Sequence, residues 1–137
     1  MRCRTTGKCV FKDDAATISD YIKRCDTLVI AAPTYFSNMP GELKLLFDRI
    51  VPTFFKDAEP GHFPMPLHRG KRYGVITACN TPFPFNILLG ESSAMVKAVR
   101  KVMRYSGFKC VDNIQMAHGK SVVAERCARM AKRLYAE

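Results

Sequence analysis

Asp26-Thr-Leu-Val-Ile-Ala-Ala-Pro33-Thr-Tyr-Phe-Ser-Asn-Met-Pro40 begins as an unbroken apolar run and ends in a loop of small polar and aromatic residues. Thr27 to Ala32 lacks the polar alternation of a strand with one wet face, so a strand covered on both faces, as in a parallel sheet, is expected. Pro33 cannot donate to a ladder and is expected to end it. Beyond it, Ser37-Asn38 offers a helix cap and Pro40 sits where an early-helix proline is tolerated. Leu43, Leu46, Phe47 and Ile50 then recur on one face of a helix that stops before Pro52.

Working outward, Asp13-Asp14 precede Ala15, Ile18, Tyr21 and Ile22, which line one face of a helix ending near Arg24; the two carboxylates suit its cap and its dipole. Pro52 to Gly70 holds four prolines and two glycines without periodicity, and is expected to be a long loop or lid. Arg72 to Ala78 reads as a second buried strand, and Cys79 to Asn86 as a proline-broken loop directly after it. Gly90 to Ser106 reads as a helix with Met95, Val96, Val99, Val102 and Met103 inward, closed by Gly107 in the left-handed position. Lys109 to Met116 is a third strand. A last helix, about Ser121 to Tyr135, would bury Val122, Val123, Ala128, Met130, Ala131 and Leu134. Alternation of helices with buried strands predicts an α/β, doubly wound parallel sheet with right-handed crossovers. Such sheets hold ligands outside the carboxyl ends of their strands, here Pro33 to Met39 and Cys79 to Asn86.

The chain has 137 residues, 47% hydrophobic and 25% charged, which suits one packed unit without repeats or linkers. Its longest apolar stretch is far too short to span a bilayer and its first residues lack the apolar core of a secretory signal, so a cytoplasmic protein without membrane contact is expected. Six scattered cysteines in such a chain argue for reduced thiols over a disulfide framework. Most of the net charge of +10 lies after Met95, where basic residues fall on the polar faces of two amphipathic helices with no interleaved aromatics. That pattern favours a solvated basic face over a nucleic-acid site; anion or nucleic-acid binding by these helices is a third-ranked function. His62, His68 and His118 stand in separate segments without metal-ligand spacing. Asp48-Arg49 reads as a structural ion pair or carbonyl cap.

Both post-strand loops combine prolines with flat side chains, Pro33-Thr-Tyr-Phe-Ser-Asn-Met39 and Asn80-Thr-Pro-Phe-Pro-Phe-Asn86. A flavin ring needs this mixture, an aromatic wall for its apolar edge and small polar donors for its N/O edge. Packing of Tyr35 and Phe36 beneath the sheet end fits the residues equally well. Gly7-Lys-Cys9, Asp13-Asp14, Cys25 to Phe36, Leu43-Lys44, Phe47-Asp-Arg49 and Thr81-Pro-Phe-Pro-Phe85, in this order, resemble the NAD(P)H-dependent FMN reductases of the flavodoxin-like superfamily, in the branch of the iron–sulfur flavoproteins and their cluster-free relatives. The resemblance implies an FMN ring resting on Pro33, Thr34, Tyr35, Phe36, Ser37 and Asn38, and on Cys79, Asn80 and Thr81. Hydride would pass from NAD(P)H to the flavin and on to a quinone, a free flavin or another small acceptor, with no catalytic side chain, and the protein would be a homo-oligomer.

The chain departs from that family at its start. The resemblance places a first strand, a Ser-rich phosphate-binding loop, its helix and a second strand before the cysteine region, and the sequence contains none of them. A single flavodoxin-like domain over residues 1–137, incomplete at its N-terminus and with three main strands, is therefore expected. The FMN phosphate would lose its main anchor, and the strand from Thr27 to Ala32 would have a bare apolar edge open to another chain. Cys3 and Cys9 are two thiols where a [4Fe–4S] cluster takes four, so they read as the remnant of an iron–sulfur motif and no cluster is expected. A chain of this fold that binds flavin weakly or not at all, without enzymatic activity, is the alternative function.

Overall fold

The structure is a computed structural model that describes residues 6, 9–11, 13–57, 61–118 and 123–136. The order is α1 (Asp14–Arg24), β1 (Thr27–Pro33), α2 (Gly41–Arg49), α3 (Val51–Phe54), β2 (Phe55–Lys56), β3 (Met65–Pro66), β4 (Arg72–Pro82), α4 (Phe85–Leu88), α5 (Glu91–Ser106), β5 (Lys109–His118) and α6 (Ala124–Tyr135). Three of the strands form one parallel sheet in the order β1-β4-β5, and β2 and β3 pair antiparallel beside it. This is the expected flavodoxin-like α/β layering, with helices on both faces of the sheet.

Helix α1 starts where its acids predict: Asp13 caps it through a 3.1 Å bond accepted from the Ala15 N–H. Ala15 and Ile22 are buried, but Tyr21, expected on the same face, is exposed, with the Arg24 guanidinium over its ring. Met95, Val96, Val99 and Met103 of α5 pack with Ile30, Tyr73 and Val75 of the sheet and with Phe47 and Phe54 into the larger core. The opposite face carries α6, whose Met130 and Leu134 meet Ile114, Ile76 and Met116. Gly74 permits this approach, because a Cβ there would lie 2.5 Å from Met130 Sδ. Ala128 and Ala131, expected inward, are exposed, since only one narrow stripe of α6 reaches the sheet. Ser121 and Val122 lie outside the described residues. Lys97, Arg100, Lys101, Arg104, Arg126, Arg129, Lys132 and Arg133 are all exposed, the solvated basic face expected of α5 and α6.

Strand β1 is covered on one face only, contrary to the reading of its apolar run. Leu28, Ile30 and Ala32 point into the larger core, whereas Val29, Ala31 and Pro33 are exposed. Its run of apolar residues records what the strand can pack against, and the second layer beside it is missing among the described residues.

The segment Pro52 to Gly70 is far more ordered than a lid. Thr53, Phe54 and His68 are buried, Leu67 N–H donates to the Phe54 carbonyl (3.2 Å), and His68 N–H donates to the Ser106 carbonyl (2.9 Å). The hydroxyls of Ser19 and Thr53 bond at 2.5 Å, tying α1 to α3. Pro60 lies outside the described residues.

His68 Nε2 stands 2.7 Å from the Thr53 carbonyl, which can only accept, so Nε2 carries the proton and Nδ1, buried without a partner, stays bare. Burial holds this imidazole below its ordinary pKa. In the unfolded chain His68 gains a proton near pH 6.5, while the folded form resists. Stability from this site is therefore complete above about pH 6.5 and is lost as pH falls through that value toward the folded pKa. Thermal midpoints measured from pH 7.5 to pH 5 should fall, and the His68→Gln protein should show a shallower fall. Parallel slopes in the two proteins would exclude His68 as the source.

Candidate functional site

Two strand ends come together at one edge of the sheet. Pro33 stands opposite Ala78 in the β1–β4 register, Thr34 N–H donates to the Ala78 carbonyl (2.8 Å), and the hydroxyls of Thr34 and Thr77 bond at 2.8 Å. From this junction the chain leaves the sheet in a tight turn closed by reciprocal backbone bonds between Tyr35 and Asn38, at 3.0 and 2.9 Å. Phe36 (φ 48°) and Ser37 (φ 58°) at its tip are both left-handed. The turn replaces the expected cap: Ser37 and Asn38 do not cap α2, whose N-terminal boundary is Pro40, and the Asn38 side chain accepts from Met39 N–H instead. A left-handed pair at Phe36 and Ser37 aims the Phe36 ring outward, where it is fully exposed (102%), with Tyr35 beside it at 62%.

Cys79, Asn80 and Thr81 belong to β4, which runs on to Pro82 and pairs with His118 of β5 rather than breaking into a loop after Ala78. The chain then turns at Phe83-Pro84 and forms α4. The Cys79 thiol is directed inward, to the carbonyls of Thr81 and Met116 at 3.7 Å, while Asn80 is exposed. All nine sequence-predicted residues thus lie along the carboxyl ends of β1 and β4, and Thr34 joins the two groups. Neither 27–41 nor 73–96 contains a Lys or Arg, so these segments bring no cation to this edge.

Several polar groups were not legible beforehand. Ser92 donates to Gln115 Oε1 (2.7 Å) and receives Asn86 Nδ2 (3.2 Å), and Gln115 donates to Asn113 Oδ1 (3.0 Å), tying α4 and α5 to β5 below the strand ends. His118, at the end of β5, joins the same edge through its pairing with Pro82. Asp48 and Arg49 do not pair with each other. Asp48 holds Lys44 one turn back, and Arg49 reaches Asp13 (2.6 Å) and the Cys9 thiol (3.4 Å), with Phe11 under its guanidinium. Arg49 and the Phe11 N–H lower the Cys9 pKa, and Arg49 holds the Asp13 carboxyl below its usual range. This cluster borders a cleft of about 70 Å³ lined by Ser19, Lys23 and Thr53, which includes none of the nine residues. Cys3 lies outside the described residues, and these contain no cluster of three or more metal-ligating side chains. No helix among them is long and apolar enough to cross a membrane.

The flavodoxin-like fold family matches residues 5–136 of this chain. An iron-sulfur flavoprotein of Methanosarcina thermophila is 43% identical over 49 residues, 36% of this chain and 26% of that protein. A second, from Methanocaldococcus jannaschii, is 36% identical over 50 residues, again 36% and 26%. The matched stretch is about a quarter of each of these curated relatives. Among solved structures, a Klebsiella pneumoniae protein assigned as a quinone reductase superposes with a TM-score of 0.72 at 18% identity, over 97% of this chain and 57% of its own. An FMN-dependent NADH-azoreductase of Bacillus anthracis, solved in complex with FMN, gives 0.62 at 18% identity over 95% and 65%. With the sheet order, the helices on both faces and a match spanning nearly its whole length, this chain belongs to the flavodoxin-like fold family.

Proposed function

We propose that this chain supplies the ring-facing part of an FMN site in an NAD(P)H-dependent oxidoreductase that reduces a quinone, a free flavin or another small acceptor. Phe36 carries the reading. A bulky residue at positive φ costs about 1–3 kcal/mol, and a fully solvated phenyl forgoes about 2 kcal/mol of burial. A planar ligand stacked on Phe36 and Tyr35 would offset both. The Bacillus anthracis azoreductase and the Klebsiella pneumoniae protein support the same chemistry by kinship of fold.

The residues fit a flavin ring. Tyr35 and Phe36 present a flat apolar wall, while Ser37, Asn38, Asn80 and Thr81 bring backbone and side-chain donors toward a polar rim. Thr34, locked to Thr77, fixes where the turn leaves the sheet. FMN, when bound, supplies the hydride acceptance and its onward delivery. The side chains orient the ring and shield one of its faces; none has to carry a proton. Because neither 27–41 nor 73–96 has a Lys or Arg, these segments offer the FMN phosphate no cationic partner.

Quenching of flavin fluorescence tests the reading. FMN should bind at tens of micromolar or tighter, and riboflavin within about tenfold of it, because the ring contributes the affinity. The double variant Tyr35→Ala/Phe36→Ala should bind FMN at least about tenfold more weakly with an unchanged melting temperature, since both rings are exposed. Absence of FMN and FAD binding at such concentrations would defeat the proposal. Binding without NADH oxidation in the presence of a quinone would favour the second reading, a non-enzymatic chain with weak flavin affinity, to which the missing cation points.

A further inference from the structure

We propose that two copies of this chain associate through β1, edge to edge and antiparallel, so that their three-stranded sheets become one continuous sheet. The inference is independent of flavin binding and begins with the backbone of β1. The Asp26 carbonyl accepts from Arg72 N–H (3.1 Å) and Thr34 N–H donates to the Ala78 carbonyl (2.8 Å), so even-numbered positions turn their backbone groups toward β4. Backbone groups alternate along a strand, hence Thr27, Val29 and Ala31 direct both N–H and C=O off the edge of the sheet. The register with β4 is unbroken from Thr27 to Pro33, and no other strand among the described residues pairs with the outer side.

Among the described residues, nothing guards this edge. Solitary edges are normally blunted by a charge, a bulge or an early proline, yet residues 27–41 contain no Asp, Glu, Lys or Arg. The side chains of Val29, 49% exposed, and Ala31 share the sheet face of Gly74 and Ile76, on which α6 packs, but α6 does not bury them.

A second copy suits this edge because the pattern is self-complementary. A two-fold axis at Val29 pairs Val29 with its copy and Thr27 with Ala31, forming roughly six backbone hydrogen bonds that use each outward N–H. Pro33, which has no N–H to offer, falls beyond the last pair. The positive charge of the chain is concentrated after Met95 and not in the uncharged run that would form the contact.

Sedimentation equilibrium of the purified chain at about 10–100 µM should give about 31 kDa. Ala31→Pro removes an outward N–H without touching a bond to β4, and Val29→Lys places a charge on the exposed face; both should sediment as the 15.4 kDa monomer. Their circular dichroism should be unchanged. If Ala31→Pro misfolds, Val29→Lys carries the test. In hydrogen–deuterium exchange, the amides of Thr27 and Val29 should be protected in the unaltered chain and exchange at least about tenfold faster in the monomeric variants. A monomer throughout this concentration range, dimers that persist in folded variants, or rapid exchange of these amides in the unaltered chain would each overturn the proposal.

Discussion

Replacing Phe54 with alanine is expected to lower the unfolding free energy by about 3–5 kcal/mol, a large part of the stability of a domain this size. The ring is 1% exposed. It meets Phe47 edge-on with centroids 5.6 Å apart and His68 at 6.4 Å, and His68 in turn stacks on Phe108 at 4.6 Å. Removing the ring takes apolar area from the core and leaves a hole framed by α2, the end of α5 and the 65–68 segment, none of which can collapse inward freely. Urea titration should show a lower midpoint with an unchanged slope. Phe63→Ala, in the same stretch but 91% exposed, should change stability by less than about 0.5 kcal/mol. Similar losses in the two proteins would mean that the segment does not pack through Phe54.

That contrast marks where the sequence was legible. Helices α1, α2 and α5 were readable because each buries one stripe whose spacing is local: Ala15 with Ile22, Phe47 with Ile50, Met95 with Val99 and Met103. The stretch from Pro52 to Gly70 was not, since Thr53, Phe54 and His68 are buried by partners distant in sequence, namely Ser19, Ser106 and Phe108. Proline misled in the same way at β4. Pro82 ends the strand opposite His118 without needing to donate, so Cys79 to Pro82 remain extended where a break was expected. Composition also cannot reveal whether the layer that would cover Val29 and Ala31 is present.

The candidate site was half legible. Parallel-sheet topology alone sends ligands to the strand ends after Ala32 and Ala78, and Thr34 indeed joins the two. The left-handed turn at Phe36 and Ser37 was hidden, because neither residue advertises positive φ as glycine does. Arg49 was assigned the wrong partner: its neighbour in sequence is Asp48, but its helical position turns it toward Asp13 and Cys9. The bonds among Asn86, Ser92 and Gln115 depend on three separate elements and leave no mark in any one of them.

Gly107→Ala is expected to cost about 2–4 kcal/mol, from two sources that a comparison separates. Gly107 closes α5 at φ 90°, with its N–H on the Arg104 carbonyl (3.2 Å) and the following Phe108 N–H on the Met103 carbonyl (3.1 Å). An L-residue held in this left-handed conformation loses about 1–2 kcal/mol. A Cβ at Gly107 would also lie 3.0 Å from Pro66 Cβ and 3.1 Å from the Arg69 backbone nitrogen. The neighbouring backbone cannot swing aside as a flexible side chain would, because the adjacent Ser106 carbonyl accepts the His68 N–H at 2.9 Å. Relieving the overlap would pull the 66–69 segment off the end of α5, and with it the His68 ring that stacks on Phe108. Gly70 has a similar φ of 86° with open space where a Cβ would go, so Gly70→Ala should show the conformational cost alone. Urea midpoints of the two variants should therefore differ by the equivalent of about 1–2 kcal/mol, with Gly107→Ala the less stable. Equal losses would mean that the 66–69 segment yields without cost and is not anchored to α5 through His68.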